Sequence, residues 1–157
     1  MQDIPESSAE TASPFEQVLT YRLARVQSKL NAQAVRILRD VAGISLVQWR
    51  IITMLGRLGE SSSSRLVKES MLDKGLLSRK LGSLISEGLI VSRPHSSDKR
   101  VQLLSLTPRG TELHDRTLPH MSARQTVLTK DFDASELDAL FQALAKLEQA
   151  ADIESEP

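Results

Sequence analysis

The chain has no cysteine, which excludes disulfides, cysteine-ligated zinc and a thiol redox switch. Aromatic residues are scarce, with one Trp, one Tyr and three Phe. Sandwiches and barrels usually draw more heavily on aromatics, so the scarcity leans towards helix. No apolar run approaches the roughly 18 residues of a membrane helix. The N-terminus lacks the basic-then-apolar pattern of a secretory signal. No glycine-rich phosphate loop is present, and no cofactor is expected. What remains is 157 residues, 40% hydrophobic and 25% charged, enough for one domain with a real core. The simple expectation is a cytoplasmic protein with no membrane partner.

A net charge of zero hides an uneven distribution. Residues 1–56 hold six basic and five acidic side chains, residues 57–110 ten and five, and residues 111–157 four and ten. A basic centre between less basic ends suggests a surface for a polyanion.

The apolar spacing divides the chain. Residues 1–13 are polar and read as a disordered tail. Ser13-Pro14 is a helix start, and Phe15, Leu19, Leu23, Val26, Leu30, Ala34, Ile37 and Val41 form one stripe. That predicts a long helix over 14–43, with more stripe than a small core needs, suited to pairing with a second long helix. Ser45 and Gln48 form a capping box before a buried helix that stops at Gly59. Ser61 to Ser64 supply caps for a short helix, Arg65 to Ser70. Asp73 caps a helix from Lys74 to Glu87 that turns Leu76, Leu77, Leu81, Leu84 and Ile85 inward, and Gly88 ends it. Leu89 to Val91 and Val101 to Leu106 are β-prone around a turn over Ser92–Arg100. Thr107-Pro108 restarts helix to about Thr129, with a kink or break expected at Pro119. Asp133-Ala-Ser-Glu136 caps a last helix with Leu137, Leu140, Phe141, Leu144 and Leu147 on one face. The fold class expected is mostly α (α+β).

Helix, short helix, turn, helix and β-hairpin, in that order, is a winged helix-turn-helix. It occupies residues 44–107, with helices over 108–151 behind it. The outer face of the Lys74–Glu87 helix carries Lys74, Gly75, Ser78, Arg79, Gly82 and Ser83. Such a face suits a major groove: arginine can grip guanine in two places, serine can serve several bases, and glycine permits close approach. Arg93, Lys99 and Arg100 on the hairpin suit phosphates or a narrow minor groove. Ser64 is a further candidate phosphate contact. Double-stranded DNA is the partner this arrangement implies.

From about Ile44 to Gly110 the sequence resembles the MarR family of bacterial winged-helix regulators. Asp98-Lys99-Arg100 followed by Leu106-Thr107-Pro108-Arg109-Gly110 is similar to the family's wing pattern, Asp-x-Arg and then Leu-Thr-x-x-Gly. Leu84-Ile-Ser-Glu-Gly88-Leu89-Ile90 resembles the junction before the wing, Asp73 to Arg79 the start of the recognition helix, and Leu46-Val-Gln48-Trp49 the second helix. Lys99 departs from the arginine of many members, keeping the charge and losing the fork. The resemblance implies a homodimeric transcription regulator, usually a repressor, whose first and last helices interlock. It implies a palindromic operator, Ser78 and Arg79 at the groove, and Arg100 in the minor groove, oriented by Asp98. It also implies a small aromatic or acidic effector, for which Tyr21, Arg22, Arg25, Trp49, Arg50 and His114 are the candidates by position.

Competing readings are weaker. His114 and His120 are six apart, which does not align two ligands on one helix face, so no metal is expected. His95, Ser96 and Asp98 lie in one turn without a nucleophile elbow, so no enzyme is expected. The remaining alternative is a winged-helix module for protein–protein contact without sequence-specific DNA binding, and the basic centre argues against it.

Overall fold

A computed structural model of the chain describes residues 17–70 and 72–152. The tail over 1–13, the Ser13-Pro14 start and Phe15 lie outside them. Helix α1 is Leu19–Ala42, with an N-cap at Val18 that makes no side-chain hydrogen bond. Its core contacts differ from the expected stripe. Ala34 and Leu38 are buried, while Leu19, Leu23 and Val26 stay exposed. The two buried residues, an i, i+4 pair, lie in the C-terminal half of α1.

Helix α2 is Leu46–Leu58 and begins with the capping box of Ser45 and Gln48. Trp49, Ile51, Ile52 and Leu55 are buried along one side, and the helix ends at Gly59. Ser61 and Ser62, expected as caps, also form strand β1 (Ser61–Ser62). Their backbone groups find partners on a hairpin strand, so pairing takes the main chain while the Ser62 hydroxyl still accepts from the Arg65 amide at 3.2 Å. Helix α3 therefore starts earlier than expected, at Ser63–Ser70.

Helix α4 is Lys74–Ser86, capped by Asp73, whose carboxylate accepts from the Leu76 amide at 2.9 Å. Leu77, Leu81 and Leu84 face the core. Ile85, expected inward, is 40% exposed. It stands about 100° around the helix from Leu84, outside the narrow buried face. After α4 the Leu89 amide reaches back to Leu84 and the Gly88 amide to Ile85. This Schellman ending needs a left-handed residue, and Gly88 supplies it at φ 70°.

Strands β2 (Ile90–Pro94) and β3 (Gln102–Leu106) form the hairpin, in a sheet ordered β1-β3-β2. Ser92, Arg93 and Pro94, expected in the turn, are paired with Leu104, Leu103 and Gln102. The turn chemistry is concentrated in residues 95–101. There the His95 amide donates to the Val101 carbonyl at 2.8 Å and the Val101 amide to the Asp98 carbonyl at 3.0 Å.

Helix α5 is Pro108–Thr129 and runs through Pro119, which neither ends nor divides it. One missing amide bond is a small part of a helix of 22 residues. Helix α6 is Ala134–Ala151, capped by Asp133 with Glu136. The described residues divide into two compact units, one up to His114 and one from Asp115 on, with the boundary inside α5. The first unit holds the core: Leu38, Ile52, Leu66 and Leu84 are fully buried.

The α6 cap has a pH consequence. The Ser135 hydroxyl, then the Glu136 amide, hold the Asp133 carboxyl below its ordinary value. A depressed carboxylate contributes above its unfolded pKa, and the contribution is lost as pH falls through the folded value. Amide exchange in the first turn of α6 is therefore expected to speed up only below about pH 4. An Asp133→Asn variant should blunt that dependence. Protection unchanged in acid for the wild type would show the cap to be irrelevant.

Candidate nucleic-acid interface

Lys74, Gly75, Ser78 and Arg79 are on the outer side of α4, with Lys74, Gly75 and Arg79 exposed. Gly75 has a specific neighbourhood: a Cβ there would stand 3.1 Å from Asp73 Oδ1 and 3.6 Å from Arg79 Nη1. The arginine thus leans back along α4 towards the helix start, as long helical side chains do. Glycine leaves room for both the capping carboxylate and the guanidinium. Beside this face is an open concavity of about 600 Å³, lined among others by Ser63, Ser64, Lys74, Ser78 and Ile85. It explains the exposure of Ile85 and places Ser64 beside Lys74 and Ser78.

Ser83 belongs elsewhere. Its hydroxyl donates to Glu87 at 2.6 Å and accepts from the Gln48 amide nitrogen at 3.4 Å. The expectation that Ser83 shares the outer face with Ser78 is corrected: it bonds to a buried residue of α2. Ser83 stands five residues from Ser78, about 140° around the helix, at the edge of the outer face, and its partner on α2 turns it inward.

The hairpin tip exposes Lys99 and Arg100. Asp98 accepts from the backbone amide of Arg100 at 3.0 Å, so it shapes the tip through the main chain and presents the exposed guanidinium from a fixed turn. Arg93 is already engaged. Its guanidinium forks onto Glu60, with Nη2 to Oε1 at 2.6 Å and Nε to Oε2. This ties the tip end of β2 to the residue before β1. His95 Nδ1 accepts from the Ser97 amide at 3.2 Å and faces the Ser97 hydroxyl at 2.9 Å. The partner of His95 is thus Ser97, where a hydrolytic relay would have needed Ser96.

The helix and the wing are joined at their bases. The Thr107 amide donates to the Leu89 carbonyl at 3.1 Å, and the Thr107 hydroxyl donates to the Gly88 carbonyl at 2.7 Å. The same hydroxyl accepts from the Gly110 amide at 3.0 Å, capping α5.

The effector candidates separate into two groups. Trp49 and Arg50 line a cavity of about 240 Å³ between α2 and α3, with Thr53, Met54, Arg57, Glu69 and Ser70. His114 stacks on Trp49 with ring centroids 5.7 Å apart. Tyr21, Arg22 and Arg25 are in the first turns of α1 and are not among the residues lining that cavity. Thr53 and Arg57 were missed in the sequence, although Arg50, Thr53 and Arg57 follow the i, i+3, i+7 spacing of one helix face. The Thr53 hydroxyl is buried without a hydrogen-bond partner among the described residues, and Arg57 approaches Glu69 at 3.5 Å.

Comparison with known proteins agrees with this arrangement. The MarR family pattern matches residues 42–101. The multiple antibiotic resistance protein MarR of Salmonella typhimurium is 28% identical over 144 residues, 87% of this chain and 96% of that one. The HTH-type transcriptional regulator YdgJ of Bacillus subtilis is 28% identical over 105 residues, which span 67% of this chain but only 64% of the relative. A MarR/EmrR family transcriptional regulator from Acinetobacter superposes with a TM-score of 0.79 at 29% identity, covering 86% of this chain and 95% of that one. A mutant MarR from Escherichia coli, solved with operator DNA, shares the fold with a TM-score of 0.70 at 24% identity over 87% of this chain and 99% of that one. In its helix order, three-stranded wing and motif positions, this chain is similar to the MarR family of winged-helix transcriptional regulators.

Proposed function

We propose that the protein is a repressor that binds an imperfect palindrome as a homodimer, with α4 in successive major grooves and the wing tips in the minor groove. The observation that carries this reading is the exposed pair of cationic elements on one lobe: Lys74 and Arg79 on α4, Lys99 and Arg100 on the wing. Ser78 and Arg79 read base edges, Gly75 permits their approach, and Arg100, on the turn shaped by Asp98, enters the minor groove. Ser64, Lys74 and Lys99 meet phosphate, while Arg93 stays on Glu60 and braces β2. Dimerisation is supported by apolar side chains left exposed in the single chain: Leu19, Leu23 and Val26 on α1, and Leu140 and Phe141 on α6. A second copy covers them. Steric exclusion of polymerase then gives repression.

The cavity between α2 and α3 is the effector site in this reading. Trp49 supplies an aromatic wall, Arg50 offers positive charge beside the Arg57–Glu69 pair, and the unpartnered Thr53 hydroxyl offers a hydrogen bond. That chemistry suits a small aromatic acid, whose binding shifts the dimer away from the spacing DNA requires.

The test is a titration against the DNA flanking the protein's own gene, beside scrambled DNA. Saturable binding at least about a thousandfold tighter to the first supports a specific regulator. Equal or absent binding to both overturns it. Salt dependence gives a second expected outcome. If Lys74 and Lys99 of both protomers meet phosphates, log affinity should fall with log salt at a slope of roughly −4. A flat response would remove the phosphate contacts from the reading.

A further inference from the structure

Gln48 is a polar side chain only 8% exposed, and both ends of its amide are engaged. Its Oε1 accepts from the Ser45 amide and the Ser45 hydroxyl, both at 2.9 Å, which completes the cap of α2. Its Nε2 turns the other way and crosses to α4, donating to Ser83 Oγ at 3.4 Å and Glu87 Oε1 at 3.3 Å. The cap alone needs only an acceptor, which glutamate supplies as well as glutamine. Only the amide serves both helices at once.

Glu87 points the same way. It is the C-cap of α4, where a negative charge opposes the helix dipole. Its carboxylate is nevertheless held there by the Gln48 amide and the Ser83 hydroxyl. One residue further on, Gly88 and Leu89 turn the chain into the wing through the Schellman bonds and the Thr107 clip. The crossing from α2 therefore meets α4 where the helix hands over to the wing.

We propose that Gln48 is a positioning residue for DNA recognition: by pinning Ser83 and Glu87 to the capped start of α2, it sets the angle at which α4 presents Ser78 and Arg79. Gln48 touches no DNA. It acts through Glu87 and the Gly88 turn. The inference rests on α4 being the groove helix.

The test separates the cap from the crossing. Gln48→Glu keeps the acceptor for Ser45 and places a carboxylate against Glu87. Gln48→Glu with Glu87→Gln restores the donor from the opposite side, since the new amide at 87 can donate to the carboxylate at 48 and to Ser83. Each protein is measured in two ways. One is the ratio of affinities for a duplex that the wild type enriches from random DNA and for a scrambled duplex. The other is amide exchange at Gly88 and Leu89 without DNA. The single variant is expected to lose about tenfold of the ratio and to exchange faster, and the double variant to return to within about twofold of the wild type.

A double variant no better than the single one overturns the proposal. So does unchanged exchange in Gln48→Glu. Faster exchange with an unchanged affinity ratio would show the crossing to be structural only, which also overturns it. If the wild type enriches no duplex, the groove assignment of α4 falls and the positioning role falls with it. The exchange measurement then still reports whether the α2–α4 link exists.

Discussion

Replacing Gly110 with alanine should lower the unfolding free energy by about 3 kcal/mol, near the upper end for inserting one methyl into a packed site. The added Cβ would stand 2.0 Å from the Leu89 carbonyl oxygen and 3.4 Å from a Leu106 methyl. The oxygen is backbone, and it is fixed, because it accepts from the Thr107 amide at 3.1 Å. Relief requires moving either the start of α5 or the junction between α4 and the wing. Chemical denaturation of wild type and variant measures the loss, and specific DNA binding should weaken with it. A variant within about 0.5 kcal/mol of wild type would mean that the junction gives way easily. Gly82→Ala is the control, since nothing lies within 4 Å of a Cβ there.

Arg79→Ala and Arg100→Ala should each weaken specific binding by about 1–3 kcal/mol, roughly tenfold to a hundredfold, with the fold and dimer unchanged. Both side chains are exposed, so neither removal opens a cavity. The two losses differ in kind. Arg79→Ala should relax preference at one base position in each half-site, while Arg100→Ala should weaken binding most where the flanking minor groove is narrow. Arg79→Lys should recover only part of the loss, because a lysine lacks the two-point fork. Titrations against single-base variants of the site check each claim. If both alanine variants bound like wild type, neither residue would touch DNA.

Local signals in the sequence were faithful wherever the chemistry was local. The caps at Ser45, Asp73 and Asp133 all form, and α1, α2 and α4 end at or beside the expected glycines. The signals failed where a distant segment decides. Ser62 caps α3 through its hydroxyl, but nothing local showed that Ser61 and Ser62 also pair with β3. Ile85 has the spacing of a core residue, yet the concavity beside α4 leaves it open. Ser83 sits at the edge of the outer face of α4, about 140° from Ser78, and only Gln48, 35 residues earlier, decides that its hydroxyl turns inward. The glycine of the Leu-Thr-x-x-Gly pattern was visible as a letter, and its reason, the Leu89 carbonyl beside it, exists only in three dimensions.

The two residues of β1 do more than widen the hairpin. They close part of one long side of β3, which otherwise would offer unpaired amides to any extended peptide. The opposite edge, β2, is short, carries the charged Arg93, and ends at Pro94, which has no amide to donate. Both rims of the sheet are therefore poor templates for strand addition. An exposed hairpin is thereby a poor seed for strand-to-strand association between copies of the chain.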